Sequence, residues 1–131
     1  MTHDDVQRWL DRYIAAWRSY DANAIGDLFA TNATNRYHPW DEEALEGRDA
    51  IVAAWLEDPD DPARWSAWYK PFAVEGDRAV AIGESRYTNP DGSLRYLYFN
   101  TWLVRFDADG RCTEFVEYFA ALPNEEKGRY A

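Results

Sequence analysis

The hydrophobic pattern of this chain changes period once, near residues 58–64, and that change constrains the fold more than any other feature. Upstream, Val6, Trp9, Leu10, Tyr13, Ile14 and Trp17 recur at the three-and-one spacing of a single helical face. Asp4, Asp5, Gln7, Arg8, Asp11, Arg12 and Arg18 fall outside that face, so residues 4–19 are predicted as an amphipathic helix. Asp21 supplies an N-cap for a second, shorter helix carrying Ile25, Leu28 and Phe29 inward. Residues 33–38 (ATNRYH) read as a short strand stopped by Pro39. Gly47 and Asp49 then open a third helix with Ile51, Val52, Trp55 and Leu56 as its apolar stripe, ended by the acidic DPDDP at 58–62. Beyond that point the period is two. Four strands are predicted at about 64–75, 78–89, 94–107 and 112–120, joined by turns at 75–77, 89–92 and 107–110. Three helices followed by an antiparallel meander predict an α+β fold, with residues 1–131 as a single domain and the helices on one face of the sheet. The polar tail from Pro123 to Ala131 is expected to fray.

The charge balance narrows the partners. A net charge of −10 repels nucleic-acid phosphates and anionic membranes, so neither is an expected partner. The single cysteine, Cys112, leaves no internal disulfide, and no Cys/His cluster has the spacing of a zinc site, so no metal is expected. No Gly-rich phosphate loop, nucleophile elbow or EF-hand pattern is present, and no cofactor is expected. The opening MTHDDVQRWL has neither a basic start nor an apolar run, and no stretch has the length to span a bilayer; a cytoplasmic location is the expectation. Aromatic residues make up 17% of the chain, seven of them Trp, which suits either an aromatic core or an aromatic-walled cavity.

The helix-helix-strand-helix opening, the four antiparallel strands and the closing GRCTEFVEYFA together resemble the nuclear transport factor 2-like superfamily, including its SnoaL-like proteins. The resemblance implies a curved antiparallel sheet wrapped around three N-terminal helices, cone-shaped with a central pocket, a cystatin-like α+β roll. It also implies a homodimer formed through the sheet. Such folds serve isomerases, epoxide hydrolases, cyclases and dehydratases as well as non-catalytic binding domains. RYIAAWRSYDANAIGDLFATNAT runs in step with ketosteroid isomerase, which places Tyr13 at an oxyanion-binding position. The same register puts Tyr37 and His38 where that enzyme has its aspartate base, and Trp102 near a second aspartate, so one functional group of three is kept. Limonene-type epoxide hydrolases resemble the other end of the chain, where Glu84-Ser85-Arg86 and Glu117 stand near their arginine and two carboxylates, in reversed order on the strand.

Strand alternation groups Val80, Ile82, Glu84, Arg86 and Thr88 on one side, Tyr96, Tyr98, Asn100, Trp102 and Val104 on one side of the next strand, and Thr113, Phe115, Glu117 and Phe119 in the last. Apolar residues mixed with a few polar ones suit a pocket lining. Taken as facing inward, Glu84, Arg86 and Glu117 need one another or a ligand, because an unpaired buried charge costs several kcal/mol. The alternative places the trio on the outer face as a solvated ion pair. Tyr13 is the candidate donor to a substrate oxygen, His38 or Glu117 the candidate proton carrier, and Arg86 the residue that holds the Glu84 and Glu117 carboxylates in place. Trp17, Tyr37, Trp55, Tyr98, Asn100, Trp102 and Phe115 are the candidate ligand-binding residues. The acidic stretches 41–43 and 60–61 read as solvated loops. Two functions remain: a cofactor-independent acid/base enzyme acting on a small apolar or aromatic molecule (isomerase, dehydratase, cyclase or hydrolase), or a non-catalytic ligand-binding or dimerisation domain.

Overall fold

The computed structural model describes residues 1–130. Helix α1 spans His3–Ser19 and starts at a capping box in which Thr2 accepts from the Asp5 amide while Asp5 accepts from that of Thr2. It ends at Tyr20, which takes the left-handed conformation (φ 50°) and returns its amide to the Ala16 carbonyl at 2.8 Å. Asp21 caps α2 (Ala22–Gly26) by accepting from the amides of Asn23 and Ala24. This helix is shorter than the spacing predicted. Leu28 lies beyond its end and Phe29 opens β1 (Phe29–Arg36), although both remain fully buried. Strand β2 is the two-residue Leu45–Glu46, and α3 runs Arg48–Glu57 after Gly47, whose φ of 92° turns the chain from β2 into the helix while its amide donates to the Ala33 carbonyl of β1.

The period-two half forms β3 (Trp65–Glu75), β4 (Arg78–Thr88), β5 (Leu94–Phe106) and β6 (Cys112–Ala121), within a residue or so of the predicted bounds. The tail does not fray: Asn124–Arg129 forms a 3-10 helix, and the Tyr130 ring meets Phe99 edge-on at 6.1 Å. Ala131 lies outside the described residues.

The strands make one curved, unclosed sheet in the order β2-β1-β6-β5-β4-β3. The predicted meander holds from β3 to β6. The addition is β1, which joins the far side of β6 in parallel, anchored where the Cys112 amide donates to the Leu28 carbonyl at 2.8 Å. Helix α1 lays Val6, Trp9, Leu10 and Tyr13 against the concave face. There Trp9 meets Phe29 and Phe106 edge-on and donates its indole N–H to the Leu28 carbonyl at 3.0 Å. Among the described residues no helix is long and apolar enough to cross a membrane.

Strand β4 departs from the expected facing. Its concave side carries Ala79, Ala81, Gly83 and Ser85, all buried, while Val80, Ile82, Glu84 and Arg86 lie on the convex side. Small residues are required because the Tyr69 ring lies across Gly83: a Cβ there would stand 2.3 Å from a Tyr69 ring carbon and 2.1 Å from the Trp68 carbonyl oxygen.

Candidate active site

Between α1, α3 and the concave side of β3 to β6 lies a cavity of about 360 Å³. Its walls include Tyr13, Trp17, Tyr37, Trp55, Tyr98, Asn100, Trp102 and Glu117, which the sequence proposed, together with Tyr20, Tyr69, Tyr87, Ser85, Asp58, Asp60 and Phe119. Each position follows from local structure. Tyr13 and Trp17 are one helical turn apart on α1, whereas Asn100 and Trp102 alternate on β5 and face Phe119 and Glu117 of β6 in register.

Glu117 is the ionisable group at the inner end. Loss of water pushes its carboxyl up to about 7, opposed in part by the nearby Trp102 indole N–H. That N–H is buried and meets no acceptor in full hydrogen-bond geometry, so its interaction with Glu117 is the weaker, through-space kind. Three tyrosines feel the same carboxylate. Burial first and then the Glu117 charge push the Tyr13 phenol well above its ordinary value and that of Tyr37 up to about 12. Tyr69 is also raised, chiefly by burial, against the opposing effect of hydrogen bonds with Asn100 and Ser85. These phenols therefore stay protonated and act as donors across the neutral range. Tyr13 is fixed by its neighbours, stacked on Phe115 (5.9 Å, 7°) and flanked by Trp102 and Trp55 at 4.8 and 4.9 Å.

The mouth is organised by Asp60, which the sequence reading assigned to a solvated loop. Its carboxylate accepts from the Trp17 indole N–H at 3.0 Å and from the Tyr87 hydroxyl at 3.3 Å, while its amide donates to the Tyr20 hydroxyl at 2.7 Å. It ties the end of α1 to β4 across the loop after α3. The available signal was the pair of prolines, Pro59 and Pro62, which hold the segment in a defined turn instead of a mobile acidic run.

Four expected site residues lie elsewhere. Glu84 and Arg86 are on the convex face, and Glu84 accepts there from the Trp68 indole at 3.3 Å, so the arginine between two carboxylates does not form. His38 is outside the cavity lining: Nδ1 faces Asp41 Oδ1 at 3.3 Å, and its ring stacks on Trp40 and meets Phe119 at 5.5 Å. Pro39 turns the chain away from the sheet just beyond it. Phe115 is buried behind Tyr13 and Trp102 as their support, a layer removed from the cavity.

Comparison with known proteins agrees with this architecture. An NTF-2 like protein of unknown function from Burkholderia xenovorans superposes with a TM-score of 0.65 at 18% identity, covering 98% of this chain and 94% of that one. An NTF2-like protein of unknown function from Cytophaga hutchinsonii gives 0.63 at 12% identity over 87% of this chain and 98% of that one. The epoxide hydrolase/cyclase-like enzyme SalBIII, of pyran ring formation in the polyether salinomycin, gives 0.64 at 14% identity over 86% and 88%. At these identities the likeness is one of fold. No curated protein matches the sequence. The profile of the SnoaL-like domain matches residues 10–115, from the first helix to the strand that carries Glu117, and the chain belongs to the SnoaL-like domain family.

Proposed function

We propose that the cavity is the active site of a cofactor-independent enzyme that moves a proton on a small, largely apolar molecule, in an isomerisation, dehydration, cyclisation or water addition. The observation that carries this reading is a buried carboxyl, Glu117, raised to about 7 in the wall of an aromatic cavity. A carboxyl near neutrality is divided between its acid and base forms and transfers a proton in either direction. Tyr13, protonated and fixed by ring packing, is the donor to an oxygen on which negative charge develops. The rings of Trp17, Trp55 and Trp102 exclude water around the transfer. The same fold in SalBIII, named as an epoxide hydrolase/cyclase-like enzyme, supports the reading by analogy of fold. Carbon-13 NMR titration of the glutamate side chains, with Glu117→Gln to assign the signal, tests it. One carboxyl titrating near pH 7 is expected, and titration of all of them in the ordinary carboxylate range rejects the acid/base role.

The absence of Glu84 and Arg86 from the cavity favours a second reading, a non-catalytic binding domain in which Glu117 only orients the guest. In either reading the proposal includes a cytoplasmic setting and a second copy of the chain packed on the convex sheet face.

A further inference from the structure

We propose that the cavity takes a molecule carrying a positively charged nitrogen, an amine or a quaternary ammonium on a compact apolar body. This deepens, and rests on, the reading of the cavity as the ligand site.

The first argument is the charge of the walls. Asp58, Asp60 and Glu117 line the cavity, and no Lys, Arg or His does among the described residues. Arg86, the cation expected to balance the carboxylates, stands on the opposite face of the sheet. Arg64 and Arg95 line an adjoining outer cleft that shares Asp58 and Asp60, so they compensate the mouth and leave Glu117 without a cation. The carboxylates do not gather into a metal site among the described residues. The positive charge that balances this interior is therefore best supplied by an organic guest.

The second argument is the π surface, which is independent of the carboxylates. The walls present Trp17, Tyr20, Trp55, Tyr87, Tyr98 and Trp102. Aromatic faces carry negative quadrupole density and attract a desolvated cation, most of all an alkylated ammonium that sheds its water at low cost. Hydrogen-bonding capacity points the same way. Asn100 spends its amide N–H groups on Tyr69 and Ser85 and leaves Oδ1, buried, as an acceptor with no partner. An anionic guest would meet three carboxylates and the negative faces of the rings.

The test is a pair of probes of nearly equal shape, benzyltrimethylammonium and its neutral carbon isostere neopentylbenzene, in one buffer with the same dilute cosolvent. Binding is read by quenching of the cavity tryptophans. At pH 8 the cation is expected to bind about tenfold or more tighter than the isostere. The groups facing Glu117 are Tyr13 from α1, Tyr37 after β1, Tyr69 from β3 and Trp102 from β5, and the tyrosines stay neutral between pH 5 and 8. The preference therefore shrinks several-fold at pH 5 as Glu117 takes up a proton, and Glu117→Gln produces the same loss at pH 8. The other charged or titratable side chains nearby are Asp58 and Asp60, which line the same cavity, and His38, whose ring meets Phe119 from outside the cavity lining. An isostere bound as tightly as the cation, or a preference untouched by Glu117→Gln, overturns the proposal. Binding is measured without turnover, so a failed preference leaves the acid/base reading intact. A Glu117 that titrates as an ordinary carboxyl, with the preference retained, removes the acid/base reading and leaves the cation site.

Discussion

At the scale of single residues, Glu117 illustrates how burial turns an ordinary side chain into a reactive one and what that costs the fold. Its ordinary value is 4.5 and burial raises it to about 7. Between those values the folded protein holds a proton that the unfolded chain releases, so stability falls as pH rises through this window. The full penalty, roughly 3 kcal/mol before relaxation and water entry, is reached above the folded value. Glu117→Gln has no charge to desolvate. It is expected to be as stable as the parent near pH 4 and more stable by up to about that amount at pH 8. Urea midpoints measured for both proteins across pH 4–8 give the answer, and parallel curves would show that Glu117 is not held out of water. The position of Glu117 was legible in the sequence, because it alternates on one side of β6 with Phe115, which is buried, and Phe119, which lines the cavity. Which glutamate is raised, and how far, was not legible, since that depends on rings from α1 and β5 that close over Glu117.

Among elements, the first helix was readable almost to the residue because one face is apolar and the other charged, while β4 was read with its faces exchanged. The error has a physical cause. On β4 the larger apolar residues, Val80 and Ile82, are on the convex side, and the concave side is Ala79, Ala81 and Gly83. A rule that sends the more hydrophobic face inward fails when the space is already taken by a neighbour's rings, here Tyr69 stacked on Trp102 at 3.8 Å. Glu84 and Arg86 were carried to the wrong face by the same inversion. Gly83 is the residue on which this packing turns. Gly83→Ala forces the Tyr69 ring and the β3 backbone to move, with an expected cost of about 1–3 kcal/mol from overpacking. Because Tyr69 also accepts a hydrogen bond from Asn100, the same change should disturb the cavity wall. Thermal unfolding followed by near-ultraviolet circular dichroism, which reports the Tyr69–Trp102 stack, checks both effects. Wild-type stability with an unchanged aromatic spectrum would contradict the packing argument.

Across the whole molecule, the exchanged faces of β4 acquire a purpose if the convex side of the sheet is itself buried in solution. That side displays Trp68 and Phe72 from β3, Leu103 from β5 and Tyr118 from β6, all exposed, beside Val80 and Ile82. Several large apolar side chains on one face of a chain of net charge −10 are unusual for a face that stays in water. A second copy is the occupant that the resemblance to dimeric folds led the sequence to expect, and pairing like faces is self-complementary by symmetry. Two forces then oppose each other, burial of the apolar faces and repulsion between two strongly acidic molecules. Salt screens the second and leaves the first, so self-association should tighten as ionic strength rises, the reverse of a contact held by ion pairs. Leu103 sits on the central strand of this face, and Leu103→Glu places a charge where both copies would have to desolvate it. Sedimentation equilibrium is expected to show a dimer strengthened by salt for the parent and a folded monomer for Leu103→Glu. A parent that sediments as a monomer over the accessible concentration range, at low and high salt alike, would leave the convex face without a second copy.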